Sequence, residues 1–217
     1  MKKFSTIVAD PAWSFSDKLK MSDVKRGASS NYPVMSIQDI CDLPVKEIAD
    51  PTGCLLALWV PSSLLEDGLR VMNAWGFKSK STYVWVKRKK NIFSVLLKNI
   101  IQLSSGEIKL EDMLGFGMGH SFRQCHEICL IGINNSGIYK KLQNKSQRSV
   151  CIEENMKHSA KPENLQDSLD LMFEIGGDKK IELFARRQRK GWTCLGNEIN
   201  GKDIKEELLE IINEGKD

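Results

Sequence analysis

Short, largely apolar runs, separated by segments with helical spacing, constrain this chain more than any other feature. Phe4 to Ala9 reads FSTIVA, Cys54 to Val60 CLLALWV, Ser81 to Lys87 STYVWVK, Glu127 to Ile133 EICLIGI and Lys180 to Ala185 KIELFA. A strand with one face in water alternates apolar and polar residues, so runs like these predict strands buried on both faces. Between them, Ser36 is placed to cap a short helix carrying Ile37, Ile40 and Leu43, and residues 62 to 75 carry Leu64, Leu65, Leu69, Val71 and Met72 up to a stop at Gly76. Another helix follows Pro162 and ends at Gly176-Gly177, and a charged one spans roughly Asp203 to Asn213. Strands alternating with helices predict an α/β fold: a mostly parallel sheet with helices on both faces. Ligands of such sheets bind beyond the carboxyl ends of the strands, where Asp10 and Arg186 both stand.

At 217 residues the chain suits a single domain over 1–217. Residues 88 to 119 break the rhythm with a basic run, an apolar stretch from Ile92 to Leu103 and a glycine-rich segment. We read them as a helical insertion plus loop, suited to target recognition or to a partner in a homo- or heterodimer. Residues 14 to 34 are polar and predict a long loop. The net charge of +4 permits a polyanionic partner without demanding one. Two dense clusters, Lys87 to Lys90 and Arg186 to Lys190, are candidates to track phosphates.

Six cysteines without a CxxC pair argue against a disulfide framework or zinc ribbon and for a reducing, cytoplasmic location. The apolar stretch after Met1-Lys2-Lys3 is too short for a signal peptide, and no run is long enough to cross a membrane. His120, Cys125, His126 and Cys129 match no zinc spacing, so no metal is expected. Gly115 to Gly119 resembles a dinucleotide loop without the strand before it or the helix after it, which leaves a nicotinamide-dependent oxidoreductase as the weakest reading.

Asp10-Pro11-Ala12-Trp13 carries the clearest chemistry. The exocyclic amine of adenine is a poor nucleophile because its lone pair is delocalised into the ring. Two acceptors on its hydrogens localise that pair, and an aromatic face fixes the base plane. Asp10 supplies a carboxylate, Pro11 a carbonyl on a backbone with fixed φ, and Trp13 a stacking surface worth about 1–3 kcal/mol. Catalysis of this kind runs on positioning and electrostatics.

The tetrapeptide opens an ordered series. Tyr32-Pro33-Val34-Met35-Ser36, Leu58-Trp59-Val60, Trp75-Gly76-Phe77, Val84-Trp85-Val86-Lys87, Glu127 to Gly132, His158-Ser159-Ala160-Lys161-Pro162, Glu182 to Arg187 and Gly191 to Glu198 follow in turn. The series resembles the adenine-N6 methyltransferases related to the catalytic subunit of the messenger-RNA adenosine methyltransferase, the MT-A seventy-kilodalton family, in a prokaryotic or phage form, and covers about residues 4 to 200.

The resemblance implies a circularly permuted, Rossmann-like class I methyltransferase using S-adenosylmethionine. It implies Asp10, Pro11 and Trp13 as catalytic residues and places the cofactor carboxylate near Lys161, with His158 and Ser159 beside it. It places ribose and adenine near Arg186, Asn197 and Glu198, and the acceptor near Ala12, Tyr32, Phe122, Arg123 and Glu127. It points to methyl transfer onto adenine N6 in DNA; RNA, or a catalytically weak nucleic-acid-binding subunit of the same fold, are the alternatives. The chain departs from the family at Ala12, which replaces a second proline, at Ser121-Phe122, where the family has tryptophan, and in a longer segment over residues 91 to 113.

Overall fold

The two parities of each apolar run pack on opposite faces of one sheet. Ile7, Ala9, Leu56, Leu58, Val60, Ile181 and Leu183 belong to one buried cluster, whereas Val8, Leu55, Ala57 and Trp59 belong to the other. Full burial of such side chains is worth about 1.5–3 kcal/mol each, so neither face can be left to water. The structure is a computed structural model that describes residues 2–14, 34–90, 92–107, 109–117, 121–155, 160–173 and 179–214.

The strands are β1 (Thr6–Ala9), β2 (Leu55–Val60), β3 (Lys78–Arg88), β4 (His126–Ile133), β5 (Val150–Glu154), β6 (Lys180–Leu183) and β7 (Thr193–Leu195). They form one sheet in the order β5-β3-β4-β2-β1-β6-β7. The pairs β1–β2, β1–β6, β6–β7 and β3–β5 are parallel; β4 is antiparallel to both β2 and β3. The chain thus enters mid-sheet at β1, builds one half through β5, and returns on the other side of β1 with β6 and β7. This is a mixed, mostly parallel α/β sheet of the Rossmann-like kind.

Helices cover both faces. Ile40 of α1 (Ile37–Cys41), Val45 and Ile48 of α2 (Val45–Ile48) and Val71 and Met72 of α3 (Leu65–Ala74) fill the first cluster. Residues 92–104 form two short helices, α4 (Ile92–Lys98) and α5 (Ile100–Ser104). Leu165 and Leu169 of α6 (Asn164–Met172) fill the second cluster. A short α7 (Asn197–Asn200) follows β7, and Ile204, Leu208, Ile211 and Ile212 of α8 (Ile204–Asn213) return to the first. No helix among the described residues is long and apolar enough to cross a membrane.

Local chemistry explains the boundaries. Ser36 caps α1 by accepting the Asp39 N–H, and the Asp39 side chain accepts the Ser36 N–H in return. Gly76 ends α3 with a φ of 82°, a conformation open to glycine at little cost. The helix expected from residue 62 begins with a 3-10 turn over Ser62–Leu64. Two strands escaped the sequence reading. β5 is half polar because it is an edge strand, and β7 has only three residues. Of the long loop expected over 14–34, all but the two end residues lie outside the described residues.

At the amino ends of β1 and β2, Lys141 Nζ lies 2.9 Å from Asp50 Oδ2, 3.2 Å from the Gly53 carbonyl and 3.3 Å from both Ser5 Oγ and Thr52 Oγ1. Burial pushes the Asp50 carboxyl up, but hydrogen bonds from Thr52 and Lys141 and the lysine charge outweigh it and hold it at about 2. A depressed carboxyl stabilises the fold above its ordinary value of 3.8, and that stability is lost as pH falls toward 2. Urea-unfolding midpoints of the wild type should therefore decline between pH 4 and 2, and Lys141→Met should flatten that decline. An equally steep decline in the variant would refute the pairing as its source.

Candidate active site

Sheet topology alone gathers the charged residues. β1 leaves the sheet at Asp10, beside the exit of β6, because Ala9 is in register with Leu183. β4 runs against its neighbours, so its amino end, with His126 and Glu127, lies at the edge where β1, β2 and β3 end. Lys87 stands near the carboxyl end of β3, and Lys161 lies between β5 and α6.

These four residues form a row of alternating charge. Lys161 Nζ donates to Asp10 Oδ2 at 2.8 Å and Oδ1 at 3.0 Å, and lies 3.3 Å from Glu127 Oε2. Lys87 Nζ is 2.7 Å from Glu127 Oε1. Both lysine side chains are only 12% exposed, and both carboxylates 23%. At such burial a charge is tolerated only when paired. Burial pushes the Lys161 ammonium down, but Asp10 and Glu127 overcome it and raise its pKa. Burial likewise pushes the Glu127 carboxyl up, while Lys161 and Lys87 together hold it below its ordinary value. The Trp59 ring lies 5.8 Å from the Lys161 ammonium.

The tetrapeptide is pinned by its own backbone. The Pro11 carbonyl accepts the Trp13 N–H at 2.9 Å, and the Ala12 carbonyl accepts the Met35 N–H at 3.0 Å. A carbonyl has two lone pairs, so Pro11 can still accept a second donor. Ala12 therefore owes its position to Met35 rather than to a second proline. Trp13, expected as a stacking surface, is buried. It is 4% exposed, sits in the first core cluster and donates its indole N–H to the Trp59 carbonyl at 3.0 Å. In this arrangement it packs against the core beside the site.

The cofactor-side residues form a second group. Arg186 Nε lies 3.5 Å from Glu198 Oε1, and Asn197 and Glu198 are exposed at the start of α7. Gly196 lets β7 turn there, since a Cβ would lie 2.4 Å from the Ala185 carbonyl oxygen. Phe184, leaving β6, holds a φ of 62°, a strained value for a bulky residue. The donor set fits the nucleoside end of S-adenosylmethionine, with a carboxylate at Glu198 and an amide at Asn197 exposed for hydroxyl and ring nitrogen atoms. At the other end Lys161 is turned to Asp10 and Glu127, so meeting a cofactor carboxylate requires it to share its donors.

The basic clusters also need correction as phosphate tracks. Arg187 pairs with Glu163 at 2.5 Å; Arg189 pairs with Glu163, with Asp167 at 2.6 Å and with Asp170 at 2.8 Å. Arg88 meets Glu154 at 3.0 Å and Glu153 at 3.6 Å, and Lys87 is held by Glu127. Much of the positive charge is therefore spent on this chain's own acids. Phe122 and Arg123 lie on the exposed approach to β4, Phe122 at 80% exposure. Tyr32, His158 and Ser159 lie outside the described residues, as does His120. Among the described residues no three metal-ligating side chains cluster. The sequence reading placed Lys87 among phosphate-binding residues; its pairing with Glu127 is a cross-strand matter, visible only once β3 and β4 are set in register.

A family model, MT-A70, matches residues 4–198, and the chain belongs to that family. MT-A70 methyltransferases use S-adenosylmethionine as methyl donor. The chain is 26% identical over 214 residues to an N(6)-adenosine-methyltransferase MT-A70-like protein of Arabidopsis thaliana, covering 98% of this chain and 25% of the relative. It is 25% identical over 203 residues to the human N(6)-adenosine-methyltransferase catalytic subunit METTL3, covering 92% and 29%. It is also 25% identical over 230 residues to the type II methyltransferase M.MunI of a Mycoplasma species, covering 99% and 86%. The chain spans about a quarter of the length of the plant relatives it matches.

Lys161→Met leaves Asp10 and Glu127 without their shared cation, which should cost about 3 kcal/mol of stability at pH 7. A carboxyl held low stabilises the fold above its ordinary value and ceases to as pH falls through the lowered one. The deficit of the variant should therefore shrink below about pH 4, as the Glu127 carboxyl protonates. A deficit constant from pH 7 to 3 in urea unfolding would contradict the charge row.

Proposed function

We propose that this chain transfers the methyl group of S-adenosylmethionine to the N6 amine of adenine in DNA. The observation that carries the reading is the Asp10 carboxylate, fixed at the exit of β1 by Lys161. Its two oxygens have about four lone-pair sites, so it can accept an amine hydrogen while keeping Lys161. The Pro11 carbonyl beside it can accept the second. Together they localise the nitrogen lone pair and hold it in line. The bound cofactor supplies a methyl group on a positive sulfur, and no metal is called for.

DNA is favoured because the type II methyltransferase M.MunI matches along 86% of its own length, whereas METTL3, an N(6)-adenosine-methyltransferase catalytic subunit, matches over 29%. In a duplex the adenine must swing out of the stack to reach Asp10. Phe122, Lys90, Lys98 and Lys109 are exposed, and we assign Phe122 to the gap left by the base and the three lysines to phosphate contact. Labelled methyl from S-adenosylmethionine should appear in adenine-containing DNA; label in RNA alone would overturn the DNA assignment. Asp10→Asn should lower kcat on the order of 10²-fold while calorimetry finds cofactor affinity within twofold of wild type. Normal turnover in that variant would sink the mechanism.

A second reading concerns assembly. Leu97, Ile100, Ile101 and Leu110 are 62–78% exposed on the insertion, more apolar surface than phosphate contact needs. We propose that they meet a second copy of this chain. Sedimentation should show a dimer that Leu97→Glu with Ile101→Glu dissociates; a monomeric wild type would refute it.

A further inference from the structure

We propose that Lys87 is a positioning residue for methyl transfer: it holds Glu127 so that Lys161 stays on Asp10. The inference rests on the functional reading above and goes beyond it, since Asp10 and Lys161 have roles there and Lys87 has none.

Lys87 is fixed at both its backbone and its side chain. Its backbone N–H donates to the Cys125 carbonyl at 2.8 Å, and its own carbonyl accepts the Gly115 N–H at 2.8 Å. Its ammonium lies 5.1 Å from the centre of the Trp85 ring. Trp85 is 1% exposed and donates its indole N–H to the Glu153 carbonyl at 3.2 Å. The ring is anchored by that hydrogen bond, so the ammonium above it is preorganised by the cation–π contact.

The consequence runs along the row. Glu127 presents one oxygen to each lysine, Oε1 to Lys87 at 2.7 Å and Oε2 to Lys161 at 3.3 Å. The closer lysine takes the larger share of the negative charge. Lys161 is left nearer to Asp10, at 2.8 Å, than to Glu127. Without the Lys87 charge, Glu127 turns its whole field on Lys161 and draws it off Asp10. Asp10 then loses the cation that orients it toward the amine. Lys87 acts through two intermediaries and need not touch the base, the cofactor or a phosphate.

The rival role for Lys87 is a phosphate contact, and the two differ in what they alter. A phosphate contact alters KM and the salt dependence of binding. A positioning residue alters kcat and the titration of its neighbour. Lys87→Met should lower kcat about tenfold, leave KM for a DNA duplex within twofold and shift the acid limb of the kcat profile upward; Lys87→Arg should recover most of the loss. In the unliganded protein, carbon-detected NMR should find the Glu127 carboxyl titrating at higher pH in Lys87→Met than in the wild type. A raised KM with unchanged kcat, or an unmoved Glu127 titration, overturns the proposal. If Glu127 shifts as expected while the wild type transfers no methyl to DNA or RNA, the charge row stands and the functional reading is what fails.

Discussion

One buried ammonium, that of Lys161, lies between two carboxylates that the fold would otherwise press together. Asp10 enters from β1 and Glu127 from β4, its antiparallel neighbour but one, and both are mostly shielded from water. Two anions at that separation in a protein interior repel strongly, and the usual escape is for one to take up a proton. The lysine removes the need. Its own burial penalty is outweighed by the two acids it bridges, and the second lysine, Lys87, secures the outer one. Backbone, core and chemistry all meet at this row. Moving β3 or β4 by one residue would turn Lys87 or Glu127 to the other face of the sheet.

The antiparallel β4 is what makes the row possible. In an all-parallel sheet the residues at the site edge all follow strands; here β4 brings the start of a strand there instead. Glu127 thus belongs to a rigid ladder, paired with Trp85, rather than to a loop. Trp59 adds a second tie. Its carbonyl receives the indole N–H of Trp13 while its ring faces Lys161, so the tetrapeptide and the lysine are anchored to the same strand, β2. Acceptors held this way pay little reorganisation when charge develops on a substrate.

Much of this was legible in the sequence, for physical reasons that can be named. Runs such as CLLALWV are apolar on both parities because β2 is central and covered twice, and that pattern needs no partner to be read. Asp10 was legible because a polar residue follows an apolar run directly. β5 was not, because an edge strand is under no pressure to be apolar. The ion pairs of Arg187 and Arg189 with α6 were not, because they join residues about twenty apart whose meeting depends on the path from α6 to β6. Trp13 was ambiguous for a related reason: an aromatic after a carboxylate at a strand exit serves equally well as a stacking face or as the floor beneath the loop, and its burial depends on how the chain packs around it.

The account turns on Asp10 receiving the adenine amine while Lys161 remains at its side. A crystal structure of the protein with adenosine and the demethylated cofactor product measures this directly. The predicted result is adenine N6 about 3 Å from an Asp10 oxygen, with Lys161 still within reach of both Asp10 and Glu127. Adenine bound away from Asp10, with both carboxylate oxygens still given over to Lys161, would contradict it.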